Sequence, residues 1–277
     1  MSGAHQQGAR LVVCPTPIGN LRDITLRALD CLREADLIAC EDTRHTRTLL
    51  DRYEIQTALV SFHEHNEDAR ASQLVARIAD GAVVALVSDA GMPLVSDPGH
   101  ALVQACLAAG VAVEVLPGAS AALVALVASG LPAEGFCFVG FLPRRRGDLE
   151  HVLLGAQSTL VAFESPRRLA ATLGLLAEHD PERRVAVCRE LTKLHEEVLR
   201  GSARELAARF AKQAPRGEVV LVLEQPRARA WQLDQAVHAL GELVQAGART
   251  RPAAGVVAAL TGVPANELYR SLTSAHE

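Results

Sequence analysis

Between Ala85 and Gly99 the chain passes from an apolar stretch of strand length, Ala85-Leu86-Val87, straight into a loop crowded with Ser, Asp, Gly and Pro. An apolar run bounded by such turn formers reads as a buried parallel strand. In open α/β sheets, ligands bind outside the carboxyl ends of the strands. The same junction recurs after Leu11–Cys14, where the loop reads Pro15-Thr16-Pro17-Ile18-Gly19, and after Leu37–Cys40, where it reads Glu41-Asp42-Thr43-Arg44-His45. It recurs again after Val113–Leu116, as Pro117-Gly118-Ala119-Ser120-Ala121. Four such strand ends constrain the chain to an α/β fold built to hold something at its loops.

Apolar runs at 11–14, 36–40, 58–62, 83–88 and 111–116 alternate with helix-spaced residues such as Leu21, Ile24, Ala28 and Leu32, so the first half is βαβ-like. Pro117-Gly118 breaks that pattern, and Ala119–Ser129 reads as a small-residue helix. A second strand series follows at 136–141, 159–163, 184–188, 197–199 and 217–223, and its shorter links predict some antiparallel pairing. The expected organisation is two α/β domains, 1–117 and 118–225, with a cleft between them. After Glu224, Gln225-Pro-Arg-Ala-Arg-Ala-Trp231 reads as a linker to a helical extension, 226–277. There Pro252–Leu260, the turn Thr261-Gly-Val-Pro264 and Ala265–Leu272 form a helix-turn-helix pattern, with Pro264 suited to the first turn of the second helix. Its five arginines against four acids leave both RNA contact and packing or dimerisation open.

At 277 residues and 49% hydrophobic content the chain supports sizeable cores. It has no apolar run of the roughly 20 residues that span a bilayer, and Met1–Gly8 lacks the apolar region of a signal peptide. A cytoplasmic location is therefore expected. The six cysteines, Cys14, Cys31, Cys40, Cys106, Cys137 and Cys188, form no CxxC pair and read as buried, reduced thiols. A net charge of −4 does not suggest a nucleic-acid partner. Local basic groups at Arg44 and Arg47, Arg144-Arg145-Arg146 and Arg183-Arg184 are its exceptions.

Thr16-Pro17-Ile18-Gly19 and Ser88-Asp89-Ala90-Gly91 place glycine where backbone approaches a ligand or takes positive φ, and Pro17 and Pro93 stiffen these loops. Ser120 and Ala121 open a helix whose first N–H groups are left for a ligand. His63-Glu64-His65 puts two imidazoles on one strand face, but a third ligand at metal-site spacing is missing, so no metal is expected. At the end of another strand run, Arg189-Glu190-Leu191-Thr192-Lys193 supplies an acid and an amine. Glu190 suits a proton acceptor; Lys193 suits either a charge stabiliser or, if desolvated, a base. An ordinary surface ion pair is the competing reading of both.

These motifs, together with Ser96-Asp97-Pro98-Gly99, His63-Glu-His-Asn66 and Gly140-Phe-Leu-Pro143, resemble the tetrapyrrole methylase superfamily. Within it they are most similar to the branch of bacterial 16S ribosomal RNA 2′-O-ribose methyltransferases. The resemblance runs from Leu11 to about Tyr269. It implies a class III methyltransferase fold, distinct from Rossmann methyltransferases, with S-adenosyl-L-methionine (SAM) in the inter-domain cleft. It also implies a homodimer and, as substrate, a P-site cytidine of 16S rRNA in the small subunit. Carried onto this sequence, the cofactor would meet Thr16, Pro17, Ile18, Gly19, Ser88, Asp89, Ala90, Gly91, Pro93, Asp97, Pro117, Gly118, Ala119, Ser120 and Ala121. From the second half it would meet Phe163, Glu164, Leu191 and Gly217. Asp42, Arg44, His45, His63, His65, Asn66, Arg144, Arg145 and Arg146 are implied at the RNA, with Glu190 and Lys193 catalytic. One departure is visible, Met92 where relatives usually carry Thr, and it bears on cofactor affinity. Two rivals remain at this stage: a methyltransferase of a small tetrapyrrole, and a non-catalytic nucleic-acid-binding regulator using the C-terminal helices.

Overall fold

Alternation of side chains along ten short strands builds two sheets, each with apolar residues on both faces. The computed structural model describes residues 8–64, 66–213, 215–226 and 233–274; of the sites inferred above, His65 lies outside them, as do Arg227 and Arg229. The first sheet holds β1 (Arg10–Val13), β2 (Leu37–Cys40), β3 (Leu59–Ser61), β4 (Val83–Val87) and β5 (Ala112–Val115) in the order β3-β2-β4-β1-β5. All its pairings are parallel. Val12, Cys14, Ile38, Cys40, Ala85 and Val87 face one side, packed with α1 (Leu26–Glu34) and α2 (Thr43–Arg52). Leu11, Leu37, Ala39, Val84 and Leu86 face the other, packed with α3 (Glu67–Ala79) and α4 (His100–Ala108). The helix following β1 and the helix following β4 therefore lie on opposite faces. The crevice between these neighbouring strands is the switch point at which open α/β sheets bind ligands.

The second sheet runs β6-β7-β10-β8-β9, from β6 (Cys137–Phe141), β7 (Leu160–Glu164), β8 (Arg184–Arg189), β9 (Glu197–Ser202) and β10 (Val219–Leu223). Only β6 and β7 are parallel; β10 is antiparallel to β7 and β8, and β8 to β9. α5 (Ala121–Ser129) packs on the face of Val161, Ala186, Cys188, Val220 and Val222, where Ile18 of the first sheet's loop joins it. α6 (Arg146–Gly155), α7 (Leu169–His179) and α8 (Ala203–Lys212) cover the face of Leu160, Ala162, Val185, Val187, Leu221 and Leu223. Both sheets belong to one compact unit, residues 1–225.

Two expectations are corrected. Arg183 is no part of a surface basic patch, because it is buried and donates to Leu153 O and Glu224 O, tying the end of α6 to the end of β10. Burial lowers its guanidinium pKa to about 10. Cys137, on the edge strand β6, is exposed rather than buried, and Cys31 is intermediate.

Residues 226–277 form a second unit. In it α9 (Leu233–Gln245), α10 (Thr250–Thr261) and α11 (Ala265–Ser274) share a core of Ala236, Leu240, Ala253, Ala254, Val257, Leu268 and Leu272. Pro264 O accepts from Glu267 N and Leu268 N, so the proline stands at the head of α11 where its missing N–H is harmless.

Candidate active site

The loops after β1 and β4 are sewn together by backbone. Thr16 N donates to Gly91 O at 2.9 Å and Gly91 N to Thr16 O at 3.1 Å. Thr16 Oγ1 donates to Ser88 O and Ser88 Oγ to Gly91 O, which satisfies both buried hydroxyls within the loop pair. Thr16 and Ser88 thus shape the floor of the crevice without lining it. Gly19 meets the second sheet: a Cβ there would lie 2.5 Å from Lys193 Cγ, and the neighbouring Asn20 N donates to Thr192 Oγ1. Only the absence of a side chain lets the two loops come this close.

Beside this seam is a cavity of about 460 Å³, within the range of small-molecule sites. Ile18, Ala90, Gly91, Met92, Val95, Ser96 and Asp97 form its wall from the first sheet; Ser120 and Ala121 contribute the head of α5. Phe141, Phe163 to Pro166, and Gly217 to Val220 close it from the second sheet. Of the residues inferred for the cofactor, Ile18, Ala90, Gly91, Asp97, Ser120, Ala121, Phe163, Glu164 and Gly217 line it. Thr16, Pro17, Gly19, Ser88, Asp89, Pro93, Pro117 and Gly118 are not among its lining residues, and Ala119 and Leu191 join the core under α5. Met92, Val95, Ser96, Phe141, Ser165, Pro166, Val219 and Val220 also line the cavity. Met92, Ser96 and Phe141 lay within motifs legible in the sequence; Phe141 packs edge-on against Phe163 at 5.4 Å.

Three carboxyls line this cavity, Asp97, Glu164 and Glu218. Glu164 is buried and committed: it accepts from Thr172 Oγ1 at 2.6 Å and Ser165 N, and pairs with Arg168 at 3.3 Å. Glu218 pairs with Lys193 Nζ at 2.9 Å. Asp97 has no cation within ion-pair reach among the described residues. Burial, with Glu41 and Asp89 nearby, raises its pKa to about 6 despite a hydrogen bond with Ser88.

Glu190 and Lys193 do not line the cavity. Glu190 accepts from Glu218 N at 2.9 Å and from Lys193 Nζ at 3.1 Å. The Glu218 bond, against partial burial, holds its carboxyl below the usual range. Burial opposes the charge of Lys193, but its bonds to Glu218 and Glu190 prevail and push its pKa up. These contacts favour the ammonium form of Lys193, in keeping with the charge-stabilising alternative. Glu190 and Thr192 have φ of +48° and +65°, values that L residues rarely adopt. Gly217, at φ +85°, leaves room for Glu190: a Cβ there would fall 2.3 Å from Glu190 Cδ.

A separate polar groove is lined by Glu41, Asp42, Thr43, Arg44, Ser61, His63 and Asp89. Asp42 is the N-cap of α2, accepting from Arg44 N and His45 N. Asp89 accepts from Asp42 N at 3.2 Å. Asn66 folds the loop after β3, accepting from His63 N and donating to Ser61 O. His45 is exposed beside the groove. Arg144, Arg145 and Arg146 are exposed but line neither depression, and Arg146 is paired with Glu150 and Glu178. Among the described residues no group of three or more His, Cys, Asp or Glu is placed to hold a metal ion, and no helix is long and apolar enough to cross a membrane.

The model of the Tetrapyrrole (Corrin/Porphyrin) Methylases matches residues 10–207, which include both sheets' loops except the Gly217 wall. The chain belongs to the tetrapyrrole methylase family. Among curated relatives of this methylase, the Ribosomal RNA small subunit methyltransferase I of Halalkalibacterium halodurans is 43% identical over 269 residues, 94% of this chain and 93% of that protein. The protein of the same name from Thermotoga maritima is 46% identical over 216 residues, 77% of this chain but 97% of its own. Among solved structures, Thermus thermophilus uroporphyrin-III C-methyl transferase complexed with S-adenyl homocysteine is similar at a TM-score of 0.55 and 22% identity, over 78% of this chain and 97% of that one. At that identity the likeness speaks for the fold.

The cavity fits SAM on its own terms. Ile18, Phe163, Val219 and Val220 offer apolar surface for an adenine ring. At the head of α5, Ser120 caps Leu123 N, and the N–H groups of Ala121 and Ala122 are left for a carboxylate.

Proposed function

We propose that this methylase transfers a methyl group from SAM to the ribose 2′-hydroxyl of a P-site cytidine in 16S rRNA of the small ribosomal subunit. The observation that carries the reading is a single cavity walled by loops of both sheets, in a chain 43% identical to a ribosomal RNA small subunit methyltransferase I. The ribose atom and the nucleotide rest on the motif resemblance. Bound in the cavity, SAM supplies an electrophilic methyl group. The chain's residues must orient the hydroxyl and receive its proton. Orientation lowers such barriers by roughly 7–11 kcal/mol, and a well-placed base adds about 10²–10⁴-fold.

Asp97 is the carboxyl best suited to take the proton at its carboxylate and pass it to solvent. It lines the cavity, it is not spent on a cation, and a pKa of about 6 suits a base working near neutrality. Glu190 and Lys193 act as positioning residues, fixing the Gly217–Val219 wall through Glu218. The polar groove of Glu41, Arg44 and His63 suits the flanking nucleotides. The homodimer and the cytoplasmic setting implied by the resemblance belong to the same reading.

The test is transfer of labelled methyl from SAM to undermethylated 30S subunits, to naked 16S RNA or to uroporphyrinogen, with the product located by digestion and mass spectrometry. A ribose-methylated cytidine from the particle is the expected result. Label on the tetrapyrrole alone would overturn the substrate while leaving the methyl donor in place.

A further inference from the structure

A second depression, of about 610 Å³, is lined by residues of β8, β9, α8 and the segment before Gly217, and of these only Arg189 falls within a family motif. Arg189, Arg209, Lys212 and Arg216 line it, with Glu197 as its lone acid and Phe210 beside them. Glu197 divides its carboxylate between the two nearest guanidiniums, 2.5 Å from Arg189 Nη1 and 3.2 Å from Arg209 Nη2, and so sets them side by side. Arg189 Nη2 is tied to Arg216 O at 3.0 Å, while its buried Nε has no acceptor. Lys212 and Arg216 have no acidic partner within ion-pair distance among the described residues. One carboxylate thus faces four cations in a chain whose average charge is negative.

The position matters as much as the charge. Arg189 is paired in register with Val219, which lines the methyl-transfer cavity. Arg216 precedes Gly217, another cavity residue. The same two strand ends therefore carry both cations of the depression and residues of the cavity wall. Arg209, Lys212 and Arg216 are exposed, so the depression suits an anionic chain passing over it better than a small ligand enclosed within it.

We propose that Arg189, Arg209, Lys212 and Arg216 hold the phosphodiester backbone of the RNA whose ribose enters the cavity. This rests on the RNA-methylating reading above. Two guanidiniums fixed by a shared carboxylate present forked donors to phosphate oxygens, and the two unpaired cations supply charge that displaces counterions.

The experiment compares wild type with Arg209→Glu/Lys212→Glu, whose side chains are exposed on α8, and with Arg216→Gln. Arg33→Glu/Arg77→Glu, on exposed helix surface of the first sheet, matches the charge change of the double variant. Binding of undermethylated 30S subunits and of a 16S RNA fragment is titrated from low to moderate salt. Methyl transfer and SAM binding are measured alongside. The double variant should lose affinity for both RNAs on the order of 10–100-fold, the range for losing charge-assisted hydrogen bonds. The slope of log K against log salt should flatten by about 1–2, one step for each phosphate no longer neutralised. Arg216→Gln should move the same way by a smaller amount. SAM affinity, and kcat at saturating particle, should stay at the wild-type level while KM for the particle rises.

Equal RNA affinity and salt slope in the double variant and the wild type would overturn the proposal, as would an equal loss in the Arg33/Arg77 control. Inorganic phosphate, compared with chloride at matched ionic strength, separates the alternatives: competition beyond the salt effect would mark a small-phosphate site instead. Binding is read directly, so wild type that binds the particle but leaves it unmethylated would sink the methylation reading without deciding this one.

Discussion

Asp97 ties stability and activity to one proton. Its folded pKa of about 6 stands above the ordinary 3.8, so the folded state favours the neutral carboxyl. The associated stability is fully present below about pH 4 and is lost as pH rises through 6. Asp97→Asn, which stays neutral, should therefore melt higher than wild type at pH 8, and the advantage should vanish at pH 4; thermal melts across that range read it directly. A flat difference would mean that the carboxyl is not desolvated as described. In the same variant kcat should fall by about 10²–10⁴-fold, with SAM affinity by calorimetry nearly unchanged. Loss of SAM binding in step with kcat would instead make Asp97 a cofactor ligand. Gly217 gives a second prediction at this scale. Gly217→Ala imposes a left-handed cost of about 1–2 kcal/mol and pushes against Glu190. The variant should melt lower and bind SAM more weakly, whereas Gly174→Ala, on α7 with open space around it, should do neither.

Asp97 is held in place from α3. Glu67 Oε1 accepts from Gly99 N and Ala101 N, both at 3.0 Å, capping α4 and fixing the end of the 88–99 loop. Leu94 and Ser96 have φ of +70° in that loop, so it needs such an anchor. Glu67→Ala should cost about 1 kcal/mol of stability, in the range of a lost helix cap. It should also raise amide exchange at Gly99 and Ala101 while leaving the strand amides of β4 protected, and exchange rates as slow as wild type would show that the clamp is dispensable. The strands themselves were legible in the sequence because their apolar runs end in Gly, Pro and Asp, and each strand run predicted lies where a strand forms. Cavity residues from the 88–99 loop and the head of α5 were legible for the same reason. What the sequence concealed depends on long-range pairing. Arg183 reads as a surface charge until the turn before β8 brings it under Leu153 and Glu224. The cations of the basic depression come from 189, 209, 212 and 216, and only the pairing of β8 with β10 and the return of α8 gather them. Glu190 and Lys193 were recognised as a pair, but their spacing does not say that Glu218 stands between them and the cavity.

For the whole molecule, the division at residue 225 separates a unit that contains every cavity residue from one that contains none. The helical unit has its own core, centred on Leu240, Val257 and Leu268. The Thermotoga maritima relative is matched over 97% of its length by 216 residues, so a methylase of this family exists without a segment of this size. The cofactor site should then be complete in residues 1–225. A truncation after Gln225 should fold cooperatively and bind SAM with an affinity within a few-fold of the full chain, since nothing in the cavity wall is removed. Particle methylation separates two roles for the helices. Retained kcat with raised KM for 30S subunits would make them a substrate-holding extension. An unchanged KM together with a lower oligomeric state by light scattering would make them an assembly element. If SAM binding itself is lost while the truncated chain stays folded, the cavity is not self-contained, and the helical unit must contribute to a site that its own packing does not reveal.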